Sequence, residues 1–296
     1  MPDPDHPGTL EPDRDRRLPG PPGRLKYLDV TEQQTRTALV VHAHPDDEVF
    51  TTAAATALLK EQGWHVVLRV ATAGMHGSAD HLTASCALLG IDEWDWLGAQ
   101  DQWIDDGGQS GPRTLAAAAT GEAALDGVAQ AVEQAAIALN PQLILTVGRD
   151  GLTGHPDHIA ISQGVQRALR RIDCRALGAR VRAQDVRAGE ALVQRLAPGE
   201  RIGSGQVTGC PDGTLLNEMS GVSEQRRRQA MDEYYPGLGS KPLAELIGVH
   251  RASSDGLLLR AVFDAAGWQQ DRFEELSASP ARASHPNGPS AAPSSR

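Results

Sequence analysis

Two short stretches hold the residues best suited to chemistry: Ala43-His44-Pro45-Asp46-Asp47-Glu48 and Gly154-His155-Pro156-Asp157-His158. His44 and His158 with one carboxylate from the first stretch make a three-ligand set that leaves coordination positions open. Hydrolytic zinc sites and non-haem iron sites use that arrangement. Spacing alone does not choose between Asp46 and Asp47 as the ligand. A hydrolase at such an ion also needs a group that accepts a proton from the attacking water. It needs another that stabilises the oxyanion and protonates the leaving amine. The neighbouring aspartate can be the base. His155, three residues before His158 and on the same helix face, can be the acid. Pro156 suits a first helical position, and Asp157 in the first turn complements the helix dipole and can orient a histidine.

These stretches can meet only if the elements around them bring them together. Thr37 to His42 reads as a buried strand, Asp47 to Gln62 as a helix stopped by Gly63, and His65 to Ala71 as a second strand. Ala79 to Leu89 is helical in pattern and Trp94 to Leu97 is a short third strand. Residues 98 to 115 form a loop. A helix carrying Leu125, Val128, Val132, Ala135 and Leu139 ends at Asn140-Pro141. Leu143 to Val147 is a strand and Asp157 to Ile172 a helix. Strands alternating with helices predict an α/β fold, a Rossmann-like three-layer sandwich with a mostly parallel sheet. Both stretches follow strands, at the sheet edge where such folds bind ligands. Beyond this, Ser223 to Tyr235 reads as a capped helix and Leu257 to Val262 as a late strand. Residues 173 to 222 carry no clear pattern and suggest a lid or a recognition region.

Composition narrows the function classes. The 296 residues carry a net charge of −10, which disfavours phosphate backbones and anionic lipid as partners. Arg226, Arg227 and Arg228 form the longest basic run and are expected on a solvated helix face. Three widely spaced cysteines, Cys86, Cys174 and Cys210, offer no disulfide framework and fit a reducing compartment. No apolar leader and no stretch near ~20 apolar residues is visible, so a cytoplasmic protein is expected. Residues 1–26 and 276–296, rich in Pro, Ser, Gly and charge, are expected as disordered tails around a folded domain at 27–275.

The AHPDDE and GHPDH motifs, in this order and context, resemble those of the PIG-L/LmbE-type deacetylases, a family that includes the mycothiol-pathway deacetylase. The similarity runs from about Thr37 to Ile172. It implies zinc as cofactor, or iron(II) or another divalent ion, with His44, Asp47 and His158 as ligands. It implies Asp46 as general base and His155 as the acid that polarises the carbonyl oxygen, with Asp157 behind a histidine. Thr72-Ala73-Gly74-Met75-His76-Gly77 is similar to the family's T-x-G-E-x-G turn, and Leu97-Gly98-Ala99-Gln100-Asp101 to its L-G-x-x-D segment. Met75 and Asp101 are therefore expected to contact substrate. The chain departs from the family in three places. Met75 replaces a glutamate, no arginine stands near Ser78, and Tyr234 falls where many members have histidine. Met75 with Trp94, Trp96 and Trp103 hints at a more apolar pocket.

The resulting expectation is a metal-dependent hydrolase that removes an N-acyl group, acetyl first, from an amino-sugar-containing small molecule. No nucleic-acid or membrane partner is expected, and self-association as a homo-oligomer is open. The alternatives are an amidase on a thiol conjugate or another amide, and a non-catalytic binding protein with a relict metal site.

Overall fold

The computed structural model describes residues 35–75, 77–249 and 254–278, all within one compact unit, Thr35–Arg296. The tail at 1–26 lies outside the described residues, as does the tail at 276–296 beyond residue 278. The strands are β1 (Thr37–His42), β2 (His65–Val70), β3 (Glu93–Trp96), β4 (Leu143–Val147), β5 (Arg175–Arg180), β6 (Asn217–Ser220) and β7 (Gln270–Leu276). The helices are α1 (Asp47–Thr51), α2 (Ala53–Glu61), α3 (Ala79–Leu89), α4 (Ala117–Thr120), α5 (Glu122–Leu139), α6 (Gly151–Gly154), α7 (Pro156–Ala168), α8 (Ala183–Leu196), α9 (Glu224–Tyr234), α10 (Leu243–Val249) and α11 (Asp255–Ala266).

The strands form one sheet in the order β3-β2-β1-β4-β5-β7-β6. β1 to β5 run parallel, while β7 is antiparallel to β5 and β6. Helices cover both faces, and the central strands are apolar on both sides for that reason. Leu39, Val41 and Ile144 belong to one buried cluster and Val40, Val66 and Leu145 to the other. The α/β three-layer architecture read from the sequence is thus present, with an antiparallel edge added. The strand order reverses between β1 and β4, since the chain runs outward through β2 and β3 on one side and then through β4 and β5 on the other, so the carboxyl ends of β1 and β4 flank a topological switch point.

Close packing places α7 on α5. Gly164 lies in the interior of α7, where glycine costs about 1 kcal/mol relative to alanine. A Cβ there would lie 2.4 Å from Val128 Cγ1, so the helices need the bare backbone to approach this closely.

Three local expectations are corrected. The helix read over Asp47–Gln62 is two helices, broken at Thr52 (φ −130, ψ 8). Thr52 Oγ1 hydrogen-bonds the buried His42 Nε2 at 3.0 Å. Leu257–Val262 is the middle of α11, not a strand. Its Leu257, Leu258, Leu259, Ala261 and Val262 are all buried, and a run buried on several sides has no helical period to read. Arg227 does not face solvent. It is fully buried, paired with Asp271 at 2.9 Å, and donates to the carbonyls of Val49, Phe50 and Trp268. The unread stretch 173–222 supplies β5, α8 and β6.

Candidate active site

After β1 the backbone turns so that the amides of Ala43 and His44 both donate to Asp47 Oδ2, each at 3.0 Å. The other carboxylate oxygen, Oδ1, then lies 3.0 Å from His158 Nε2. His158 comes from the first turn of α7, which starts with Pro156 and is capped by His155. Before it, Gly151 takes φ +68, a backbone region open to glycine. The Gly151 carbonyl accepts a hydrogen bond from His158 Nδ1 at 2.9 Å. A carbonyl can only accept, so Nδ1 carries the proton and Nε2 presents its lone pair.

His44 is oriented by the same logic. Its Nε2 lies 3.0 Å from the buried Asp157 Oδ2 and donates to it, which leaves Nδ1 as the lone pair. That Nδ1 is 3.1 Å from His158 Nε2 and 4.0 Å from Asp47 Oδ2. Two imidazole nitrogens and a carboxylate therefore converge on one point. Protons held more tightly on both imidazoles balance this donor set, and a divalent ion can replace them. Ligands bonded to zinc at ~2.0–2.2 Å would have spacings of this size. The residues thus fit a divalent ion, and each histidine has the outer hydrogen bond that metal-ligating imidazoles make. His155 also brings a ring nitrogen close to His44 and His158, within 4.8 Å.

The neighbouring carboxylates are pushed apart electrostatically. Burial works to raise the pKa of Asp47, but the positive side of His158 and His44 outweighs it and holds Asp47 ionised. Burial and the Asp47 charge raise the pKa of Asp46 to about 7; the hydrogen bond from Tyr235 and the charge of His44 pull the other way but are too weak. Asp46 also adopts φ +108, a strained region for a residue with a Cβ. Its amide donates to Glu48 Oε2 at 3.0 Å, and its Oδ2 accepts from the Tyr235 hydroxyl. Glu48 is itself buried and held by Ser85 Oγ at 2.5 Å and Tyr234 OH at 2.7 Å. For His44, burial is outweighed by the Asp157 hydrogen bond and the charges of Asp47 and Asp105, which lift its pKa to about 9. His155 is lowered by burial and by its neighbours His158 and His44.

A cavity of about 450 Å³ opens on this cluster, lined by His44, Asp46, Asp47, His155 and His158 among others. Met75 also lines it. Asp157 stands behind His44 rather than in the cavity. Asp101 is not among the lining residues. It is an exposed turn residue (φ +57) whose carbonyl accepts from Arg113. Asp105 lines the cavity instead, with its carboxylate 3.6 Å from His44 Nε2. None of Trp94, Trp96 and Trp103 lines it. Trp103 is packed in a core cluster, and Trp94 Nε1 donates to Thr83. The apolar lining comes from Phe50, Leu152, Leu259 and the ring of Tyr235. Tyr235 and Asp105 were missed because nothing in a helix end or a Gly/Asp-rich loop marks the direction of a side chain.

Residues 39–169 match the PIG-L family, described as GlcNAc-PI de-N-acetylase. The match takes in under half of the chain, so it is a likeness over that stretch. The chain is similar to 1D-myo-inositol 2-acetamido-2-deoxy-alpha-D-glucopyranoside deacetylases. That of Thermobispora bispora is 34% identical over 145 residues, covering 42% of this chain and 48% of the relative. That of Mycolicibacterium gilvum is 36% identical over 151 residues, covering 43% and 51%. The chain spans about half the length of the curated relatives it matches. Among solved structures, the A40926 pseudoaglycone deacetylase is similar at a TM-score of 0.52 and 16% identity, covering 83% of this chain and 99% of that one. A deacetylase of the teicoplanin pathway gives 0.51 at 17% identity, covering 80% and 96%. At such identities these two support the fold. The matched stretch runs from within β1 through β4 and α7 and includes His44, Asp47, His155 and His158. Among the described residues no helix is long and apolar enough to cross a membrane.

Proposed function

We propose that this chain is a metal-dependent N-deacetylase acting on an N-acetylated amino sugar within a small molecule, with zinc as the metal. The observation that carries the reading is the convergence of His44 Nδ1, His158 Nε2 and the Asp47 carboxylate, beside a second carboxylate poised near neutral pH. The curated relatives are named as deacetylases of an acetamido sugar. Three free cysteines fit the reducing cytoplasm.

A divalent ion held by His44, Asp47 and His158 would polarise the amide carbonyl and lower the pKa of water toward ~7. The chain's own groups then manage the protons. Asp46, with a pKa near the working pH, takes one from the attacking water as the C–O bond forms. His155 donates to the oxyanion and passes a proton to the nitrogen as the C–N bond breaks. Its lowered pKa makes the protonated ring a ready donor. Asp157 holds His44 in the tautomer that directs Nδ1 inward. The products are acetate and the free amine.

The test is metal analysis of the purified full chain, paired with mass-spectrometric detection of acetyl loss across N-acetyl amino-sugar substrates. Bound zinc near one per chain with release of free amine supports the reading. A zinc-loaded protein that releases no amine from any member of the panel overturns it.

A further inference from the structure

We infer that the cavity holds a second, apolar subsite beside the reacting centre, and that the natural substrate carries an aryl or alkyl group that fills it. Phe50, Leu152 and Leu259 line the same cavity as the donor cluster, with Tyr235 and Met75. Leu152 is placed there at a cost. It stands at φ 60, ψ −54, the geometry of a strained γ-turn, and a Cβ-bearing residue held there costs about 1–3 kcal/mol. Glycine would occupy this position without strain. The retained leucine contributes to a small buried cluster with Leu258 and Leu259, and it also faces the cavity next to His158. Met75 and Tyr235 remain 47% and 41% exposed. Large apolar side chains left open beside polar catalytic groups are the lining expected of a ligand pocket.

The inference depends on the deacetylase reading only for where the reacting amide lies. The apolar group could be on the aglycone or on the acyl chain, and two binding experiments separate them. The zinc-loaded full chain is titrated calorimetrically with product-like ligands, which are not turned over. One arm compares phenyl with methyl 2-amino-2-deoxyglucoside. The other compares hexanoate with acetate. Burial of the apolar group should tighten binding by about tenfold or more in at least one arm, and that arm names the source. Leu152→Gly and Leu259→Ala should collapse the ratio toward one. Leu152→Gly relieves the backbone strain but removes packing against Leu258 and Leu259, so melting curves check that both variants remain folded. A gain under tenfold in both arms overturns the inference, as does a gain that survives both substitutions. Amine release from methyl N-acetylglucosaminide is measured in parallel. Release without an affinity gain sinks the subsite alone. A gain lost in the variants without any amine release sinks the deacetylase reading and leaves the subsite.

Discussion

Asp46 and Asp47 are adjacent in the chain, yet their surroundings drive them to opposite protonation behaviour. Asp47 faces two imidazoles and two backbone amides, while Asp46 faces burial and the charge of Asp47. We expect Asp46→Ala to keep its zinc and lose about 10²–10⁴-fold in turnover, the usual contribution of a general base. We expect Asp47→Ala to lose zinc as well. Metal content and amine release, measured on the same samples, separate the two roles. Equal activity of Asp46→Ala and wild type would remove Asp46 from the mechanism. Because the base works only when ionised, amine release should climb with pH as Asp46 loses its proton, on a limb that the metal's charge moves below the value of about 7 set by burial and Asp47. His42 gives a different pH response. Burial lowers its pKa from 6.5 to about 4, so between those values the unfolded chain binds more protons than the folded one. Stability is present above about pH 6.5 and declines by up to ~1.4 kcal/mol per unit as pH falls toward 4. Urea unfolding at pH 7, 6 and 5 should trace that decline, and His42→Gln should flatten it.

At the scale of elements, α9 links the site to the sheet. Its last residue, Tyr234, donates to Glu48, and Tyr235 just after it donates to Asp46. Its middle is pinned by Arg227, whose guanidinium pairs with Asp271 on β7 while Asp271 accepts from the amides of Ala54 and Ala55 on α2. Removing one partner of a buried pair leaves the other charge uncompensated. Arg227→Ala should therefore destabilise the fold by about 3–5 kcal/mol. Arg226→Ala, an exposed neighbour, should stay within about 0.5 kcal/mol. Thermal melts of the two variants check this, and equal melting temperatures would return Arg227 to the surface. The helix register explains why the basic run misled. Three consecutive residues span most of a turn, so one of them must face inward.

For the whole molecule, the donor cluster joins the ends of β1 and β4, over a hundred residues apart in the chain. An ion that binds only the folded arrangement stabilises all of it by mass action. Zinc at about 1,000 times its dissociation constant should add about 4 kcal/mol. Chelator should lower the melting temperature, and restored zinc should bring back both stability and amine release. A melting temperature indifferent to zinc and chelator would mean that the cluster holds no ion.

The parallel strands β1 to β4, the helices after them and the two His/Pro/Asp stretches were legible from residue order, because buried parallel strands and capped helices leave local patterns. So were His44 and His158 as partners of one aspartate in the first stretch, because short motifs at strand ends report on a shared edge; the choice of Asp47 over Asp46 came from the family resemblance. Other features depended on tertiary contacts with no local trace. The family resemblance pointed to Asp101, which stands at an exposed turn with φ +57, while Asp105 lines the cavity. The tryptophans suggested an apolar pocket, but its apolar wall comes from Phe50, Leu152 and Leu259 on separate segments. Burial also hid α11 and Arg227, since a side chain's surroundings are set by whatever packs against it. Chain order therefore determined which groups could react, and packing decided which of them face one another.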